Sequence, residues 1–179
     1  PFDAPKALKL AINSKMPKLQ EFTARRMLAQ FASEQGWEKS PLRKLMSEVA
    51  PGFRFEEDFT KMKIQKMDSF RKRKALQTRP LGRIRPLVLY RNIEVTKQTK
   101  LKVVVSHHPH RDWELRVRVD GKLISKQLVS SKTVTNEWLE KTIDLSKYAG
   151  KSVKLTVENY PNDWFNEYAY WNSIKIINK

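Results

Sequence analysis

The sequence predicts a mainly β protein, a two-sheet sandwich or jelly roll behind an α-helical N-terminal part. Three observations predict it. Beyond residue 86, short runs alternate apolar and polar side chains with the period of two that a strand with one wet face requires. These runs are closed by turn chemistry, Asp120-Gly121 and Tyr148-Ala149-Gly150 among them, where glycine supplies the positive φ of a tight turn. Before residue 50 the apolar spacing changes to three and four, the period of a helix.

In chain order, residues 4–35 read as a helical hairpin. Ala7, Leu8, Leu10, Ala11 and Ile12 give a short apolar face, and Asn13-Ser14-Lys15-Met16-Pro17 breaks it. Pro17 suits the first turn of the next helix, where its missing N–H costs nothing. Leu19, Phe22, Met27 and Phe31 follow at helical spacing until Gly36. Two short helices with a proline at the turn resemble one HEAT-type unit. A lone repeat cannot bury its own face. Either further repeats precede it, or the pair is a cap on the sandwich.

Ser40-Pro41 opens another helix over residues 42–49, whose Leu42, Leu45, Met46 and Val49 form a sealing face with Trp37; Pro51-Gly52 ends it. Residues 51–86 read as a basic linker. They hold the run Arg71-Lys72-Arg73-Lys74, then Arg79, Arg83 and Arg85 between Pro80 and Pro86. Residues 87–179 read as the sandwich. Leu87-Val88-Leu89-Tyr90 with Ile93 and Val95, and the run 101–105, are strands. Trp113, Leu115, Val117 and Val119 face one way and Glu114, Arg116 and Arg118 the other; Asp120-Gly121 then turns into Lys122-Leu123-Ile124. Leu139 with Thr142-Ile143, then Val153, Leu155 and Val157, then the aromatic run 168–176, complete seven or eight strands, the count of a two-sheet sandwich.

The pattern Trp138…Ile143-Asp144-Leu145-Ser146-Lys147-Tyr148-Ala149-Gly150-Lys151…Val157-Glu158-Asn159…Trp164…Glu167…Ala169-Tyr170-Trp171 resembles the C-terminal galactose-binding-like β-sandwich of large secreted bacterial proteins. That jelly roll is related to carbohydrate-binding modules. Residues 106–122, with the turn His107-His108-Pro109-His110-Arg111-Asp112-Trp113, extend the resemblance to roughly residues 80–179. It implies a secreted, periplasmic or cell-surface module of a longer protein. A structural calcium is the one cofactor it allows, since such sandwiches often hold one.

Bulk properties narrow the function classes. Hydrophobic residues make up 40% of the 179 and aromatics 10%, values of a chain that folds. No apolar run approaches the ~18 residues that span a bilayer. The chain begins at Pro1 without a basic-then-apolar leader, which reads as a piece of a longer protein. With no cysteine, disulfides, thiolate metal sites and cysteine nucleophiles are excluded. The net charge is +17: residues 1–100 hold 23 Lys and Arg against 10 Asp and Glu, and residues 101–179 hold 13 against 9. That surplus implies an anionic partner or an acidic neighbouring domain.

Enzyme chemistry has thin support. No G-x-S-x-G elbow, H-E-x-x-H zinc pair or phosphate loop occurs. His107, His108 and His110 with Asp112 offer metal-ligand atoms, but adjacent residues at a strand end point apart, so a polar loop is the expectation. Glu158, Asp163 and Glu167 are close in sequence; their expected work is to accept loop N–H groups or to hold the calcium. No metal ligand set is assigned.

The loop after residue 159 combines aromatic faces for sugar C–H surfaces with amides and carboxylates for hydroxyls. Tyr160, Asn162, Asp163, Trp164 and Asn166 are the candidate ligand-binding residues. Trp164 either stacks on a ligand or folds the loop back onto the sandwich, whereas Tyr170 and Trp171 belong to the core. Arg71, Lys72 and Arg73 are candidate anion contacts, against the plainer reading of a solvated charge run.

The expectation is a non-catalytic accessory module that recognises carbohydrate, with a bias toward sulfated or uronic-acid polysaccharides. The alternative is a structural domain that docks other domains of the parent protein. Nonspecific binding of polyanions or nucleic acid ranks third, because no nucleic-acid motif accompanies the pI of about 10.1.

Overall fold

The computed structural model describes residues 41–56, 64–163 and 166–178. Helix α1 (Pro41–Val49) begins on a proline and buries Leu45, Met46 and Val49 against the strands that follow. Gly52 ends the turn after it at φ +77°, and a Cβ there would meet the Arg91 guanidinium at 2.9 Å. Arg91 Nη1 donates to the Pro51 carbonyl at 2.9 Å, so the close approach that demands glycine also fixes the turn. The residues read as a HEAT-type hairpin, 4–35, lie outside the described residues.

Among the described residues ten strands follow: β1 (Arg54–Phe55), β2 (Gln65–Phe70), β3 (Arg73–Thr78), β4 (Leu87–Glu94) and β5 (Thr99–His107), then β6 (Trp113–Val119), β7 (Lys122–Val129), β8 (Leu139–Asp144), β9 (Ser152–Tyr160) and β10 (Ala169–Asn178). They form two five-stranded sheets of order β1-β4-β9-β6-β7 and β2-β3-β10-β5-β8, and every pairing is antiparallel. Leu87, Leu89, Leu115, Val117, Leu155 and Val157 of the first sheet and Leu76, Leu101, Val103, Val105, Trp171 and Ile174 of the second are wholly buried or nearly so. They are the alternate residues the period of two selects, except that in β10 a bulge between Trp171 and Ser173 shifts the register, and they form the core. Trp113 and Trp171 meet with ring centroids 5.0 Å apart. Their indole N–H groups donate to Ser106 O at 3.0 Å and Thr78 Oγ1 at 2.8 Å, so neither polar handle is stranded.

The strands read from residue 87 onward are all present, and the Asp120-Gly121 hairpin forms with φ of 49° and 80°. Residues 51–86 are a correction. This stretch, expected as a linker, holds β1, β2 and β3, and Ala75, Leu76 and Thr78 are fully buried. The sandwich therefore starts well before residue 87. Two features hid it. Only Leu76 is a large apolar residue in β3, and the β2–β3 turn uses Arg71 and Lys72 at φ 48° and 62°, where glycine or asparagine is the usual signal. The basic surplus moves with the boundary. Residues 64–100, now largely strands of the sandwich, carry 11 Lys and Arg against 2 Asp and Glu.

A second apolar cluster involves the β2–β3 hairpin. Ala75, Val104, Trp138 and Tyr170 are buried together with Met67, Phe70 and Tyr168 packed against them. Phe70 stacks on Tyr170 with centroids 3.6 Å apart and meets Trp138 edge-on at 6.1 Å. Among the described residues, no helix is long and apolar enough to cross a membrane.

Candidate functional site

Antiparallel order places the connections β3–β4, β5–β6, β7–β8 and β9–β10 at one end of the sandwich. Beneath them lies a buried polar layer. Asn159, fully buried, donates through Nδ2 to Thr78 O, Thr78 Oγ1 and Glu167 O, each at 3.3 Å. Glu167 is 2% exposed and its Oε1 accepts the main-chain N–H groups of Asn162 and Asp163. His107 Nδ1 lies 2.6 Å from His108 O and 2.8 Å from Arg111 O. Both partners are carbonyls, so Nδ1 carries the proton and donates. The β5–β6 and β9–β10 loops are thus held from below.

Above this layer the two loops are cross-linked by polar pairs. Asn162 Nδ2 donates to Asp112 Oδ1 at 2.8 Å, and Arg111 Nη1 donates to Asp163 Oδ2 at 3.3 Å. The Tyr168 ring has His108 on one contact, 5.9 Å between centroids, and the Arg79 guanidinium on another, also 5.9 Å. Desolvation holds His108 below its ordinary pKa of 6.5, and the charges of His110, His107 and Arg111 push the same way.

The expected site residues divide. Asn162 and Asp163 sit on this surface, joined to Asp112 and Arg111. Asn166 takes φ 54°, a left-handed conformation asparagine tolerates, and its carbonyl accepts the Tyr168 N–H at 2.8 Å. Tyr160 is engaged elsewhere: it pairs opposite Glu114 at the end of β9, and the Arg116 guanidinium lies 3.2 Å from its ring centroid. Trp164 lies outside the described residues. Trp113, Tyr170 and Trp171 are buried within their strands, and Trp138 is buried just before β8.

Of the expected anion contacts, Arg71 is committed to the fold. Its Nη1 donates to Ser106 Oγ and Glu137 O, each at 2.9 Å, and the Trp138 indole donates back to Arg71 O at 3.4 Å. Lys72 is exposed at the hairpin tip. Arg73 lies over the Trp138 ring at 5.2 Å, with Glu140 at 4.0 Å.

The three carboxylates diverge. Glu158 Oε1 accepts from Arg118 Nε at 2.8 Å, Asp163 goes to Arg111, and Glu167 goes to the loop N–H groups. Burial raises the pKa of Glu158, against the pull of Arg118. Among the described residues, no group of three or more His, Cys, Asp or Glu converges as metal ligands. His107 Nδ1 is spent on carbonyls and His108 Nδ1 accepts the main-chain N–H of His110 at 3.3 Å, contacts a polar loop makes.

Sequence reasoning missed one feature of this region. A cavity of about 360 Å³ opens beside the β7–β8 connection, lined by Arg73, Thr133, Thr135, Asn136, Trp138, Leu139 and Glu140. Its one legible signal was Asn136, a residue that favours the left-handed turn position it occupies at φ 49°.

No family model and no curated protein sequence matches the chain. Solved structures do. The K1 cleaved adhesin domain of Lys-gingipain from Porphyromonas gingivalis W83 has a TM-score of 0.53 at 11% identity, over 73% of this chain and 93% of that one. The secreted serine protease VesC from Vibrio cholerae gives 0.43 at 17% identity; 68% of this chain is covered, and it spans only 26% of the protease. A family 35 carbohydrate-binding module from Paenibacillus barcinonensis gives 0.45 at 14% identity, covering 74% and 97%. The likeness to the adhesin domain establishes a shared β-sandwich fold, and at 11% identity it establishes the fold alone.

Proposed function

We propose that this chain is a non-catalytic accessory module that binds carbohydrate at the loop end of its sandwich, with a preference for acidic polysaccharides. One observation carries the reading. Three loops, β3–β4, β5–β6 and β9–β10, supply a surface where amide, carboxylate and guanidinium groups (Asn162, Asp112, Asp163, Arg111) accompany an aromatic ring (Tyr168) flanked by Arg79 and His108. Sugars need this mixture, because each hydroxyl both donates and accepts while the ring's C–H face seeks apolar cover. The acidic preference is supported by the +17 charge, of which residues 64–100, the stretch from β2 to the start of β5, carry 11 Lys and Arg against 2 Asp and Glu. The shared fold with an adhesin domain agrees with a binding role, and extracellular placement follows from the same reading.

Interdomain docking is the second reading, favoured by Ile84 at 81% exposure and by Leu123 and Leu128 on the edge strand β7. A glycan array separates the two. Neutral, uronate and sulfated polysaccharides are screened beside duplex DNA at about physiological ionic strength, and hits are repeated at higher salt. The expected result is a salt-resistant preference for one acidic sugar family. It should weaken roughly tenfold in the Asn162→Ala/Asp163→Ala variant, the loss of a few charge-assisted hydrogen bonds, and also in Trp164→Ala. Equal binding to every polyanion that vanishes with salt would overturn the reading.

A further inference from the structure

We infer that the cavity between the β2–β3 tip and the β7–β8 connection is an acid-recognising subsite, in which Arg73 takes the carboxylate or sulfate of an acidic sugar. This deepens the proposed function and rests on it.

The walls of the cavity are fixed before any ligand arrives. Two tight turns meet there, Arg71-Lys72 at φ 48° and 62° and Asn136-Glu137 at φ 49° and 69°. The first is clasped to the second: Arg71 Nη1 donates to Glu137 O at 2.9 Å, Ser106 Oγ donates to the same carbonyl at 2.7 Å, and the Trp138 indole reaches Arg71 O. The volume of about 360 Å³ falls in the range of small-ligand sites.

Arg73 is held for recognition rather than used up. Its guanidinium carbon lies 5.2 Å from the centroid of the Trp138 ring, a cation–π contact that spends none of its N–H donors, so a forked acceptor can take them. The carboxylate beside it, Glu140, is 4.0 Å away and gives its shorter contact, 3.0 Å, to Lys102. Carboxylate and sulfate both present the two coplanar oxygens that such a fork fits. Asn136 and Thr135 line the same cavity, and among the described residues neither side chain meets a hydrogen-bonding partner, so both can serve sugar hydroxyls.

Calorimetric titration tests this with a galacturonic acid oligomer, a heparin oligosaccharide and a neutral galactose oligomer. Arg73→Lys keeps the charge but loses the fork, and should weaken the acidic ligands about tenfold while leaving the neutral one unchanged. Glu140→Gln removes the competing carboxylate and should strengthen the acidic ligands several-fold. Lys122→Ala, an exposed cation at the start of β7, controls for bulk charge and should change affinity less than about twofold. The two acidic arms tell uronate from sulfate recognition, and a melting curve for each variant separates lost binding from lost fold. If acidic glycans bind but Arg73→Lys matches Lys122→Ala, the subsite is overturned and the module reading stands. If wild type binds none of the three, both fall.

Discussion

A carboxylate that is 2% exposed and accepts two main-chain N–H groups cannot be removed without stranding both donors. Glu167 is such a residue. Glu167→Ala should therefore cost about 2 kcal/mol and lower the melting temperature by about 4–8 °C in a domain of this size. Thermal denaturation by circular dichroism checks it; an unchanged Tm would mean that water replaces the carboxylate. His108 makes a second prediction. Its folded pKa is depressed below 6.5, so between that value and the folded one the unfolded chain binds more protons than the native one. Stability thus falls as pH drops below about 6.5 and levels off once the native side chain is also protonated. In Tm measured from about pH 7.5 downward, His108→Gln should flatten this part of the profile. An identical slope in the variant would place the titration on another group.

Among the elements, the β2–β3 hairpin has the most to decide. It sets Phe70 on Tyr170 and carries Arg71 to the Glu137 carbonyl, so its turn positions part of the proposed subsite. Lys72 sits at φ 62°, where a side chain costs about 1 kcal/mol that glycine does not. Glycine's greater freedom in the unfolded chain offsets part of this, leaving Lys72→Gly stabilising by about 0.5 kcal/mol. Lys72→Val, β-branched, should instead destabilise by about 1 kcal/mol or more. Chemical denaturation reads both, and equal midpoints would show that the turn is not left-handed in solution.

At the scale of the whole molecule, charge and topology act together. The first 100 residues hold 23 of the 36 basic side chains, and 11 of those lie in residues 64–100, on β2 to β4, the start of β5 and the turns and loops that join them. A field of this size attracts any polyanion, and its contribution falls with salt. Binding that survives high salt must come from geometry, from the paired groups of the loop end or the fork of Arg73. That is why the glycan screen is read at two ionic strengths.

The sequence by itself determined the β-sandwich from residue 87 onward, helix α1 and the burial of Trp171, because alternation, turn glycines and capping prolines are local signals with local causes. For Glu158, Asp163 and Glu167 alike it left loop N–H groups or a calcium as the expected partners. Glu167 accepts loop N–H groups, while Glu158 and Asp163 pair with Arg118 and Arg111. Only the tertiary structure decided the rest. The strand character of residues 65–78 depends on pairing with β10, more than 90 residues away, and on a turn built without glycine. Whether Arg71 was solvated, anion-binding or structural depended on the Glu137 carbonyl, 66 residues along the chain. Tyr160 and Asn162 are neighbours in sequence with different partners in space, because one ends a strand and the other opens a loop. Such long-range pairings leave no periodic mark on the chain, and only folding makes them.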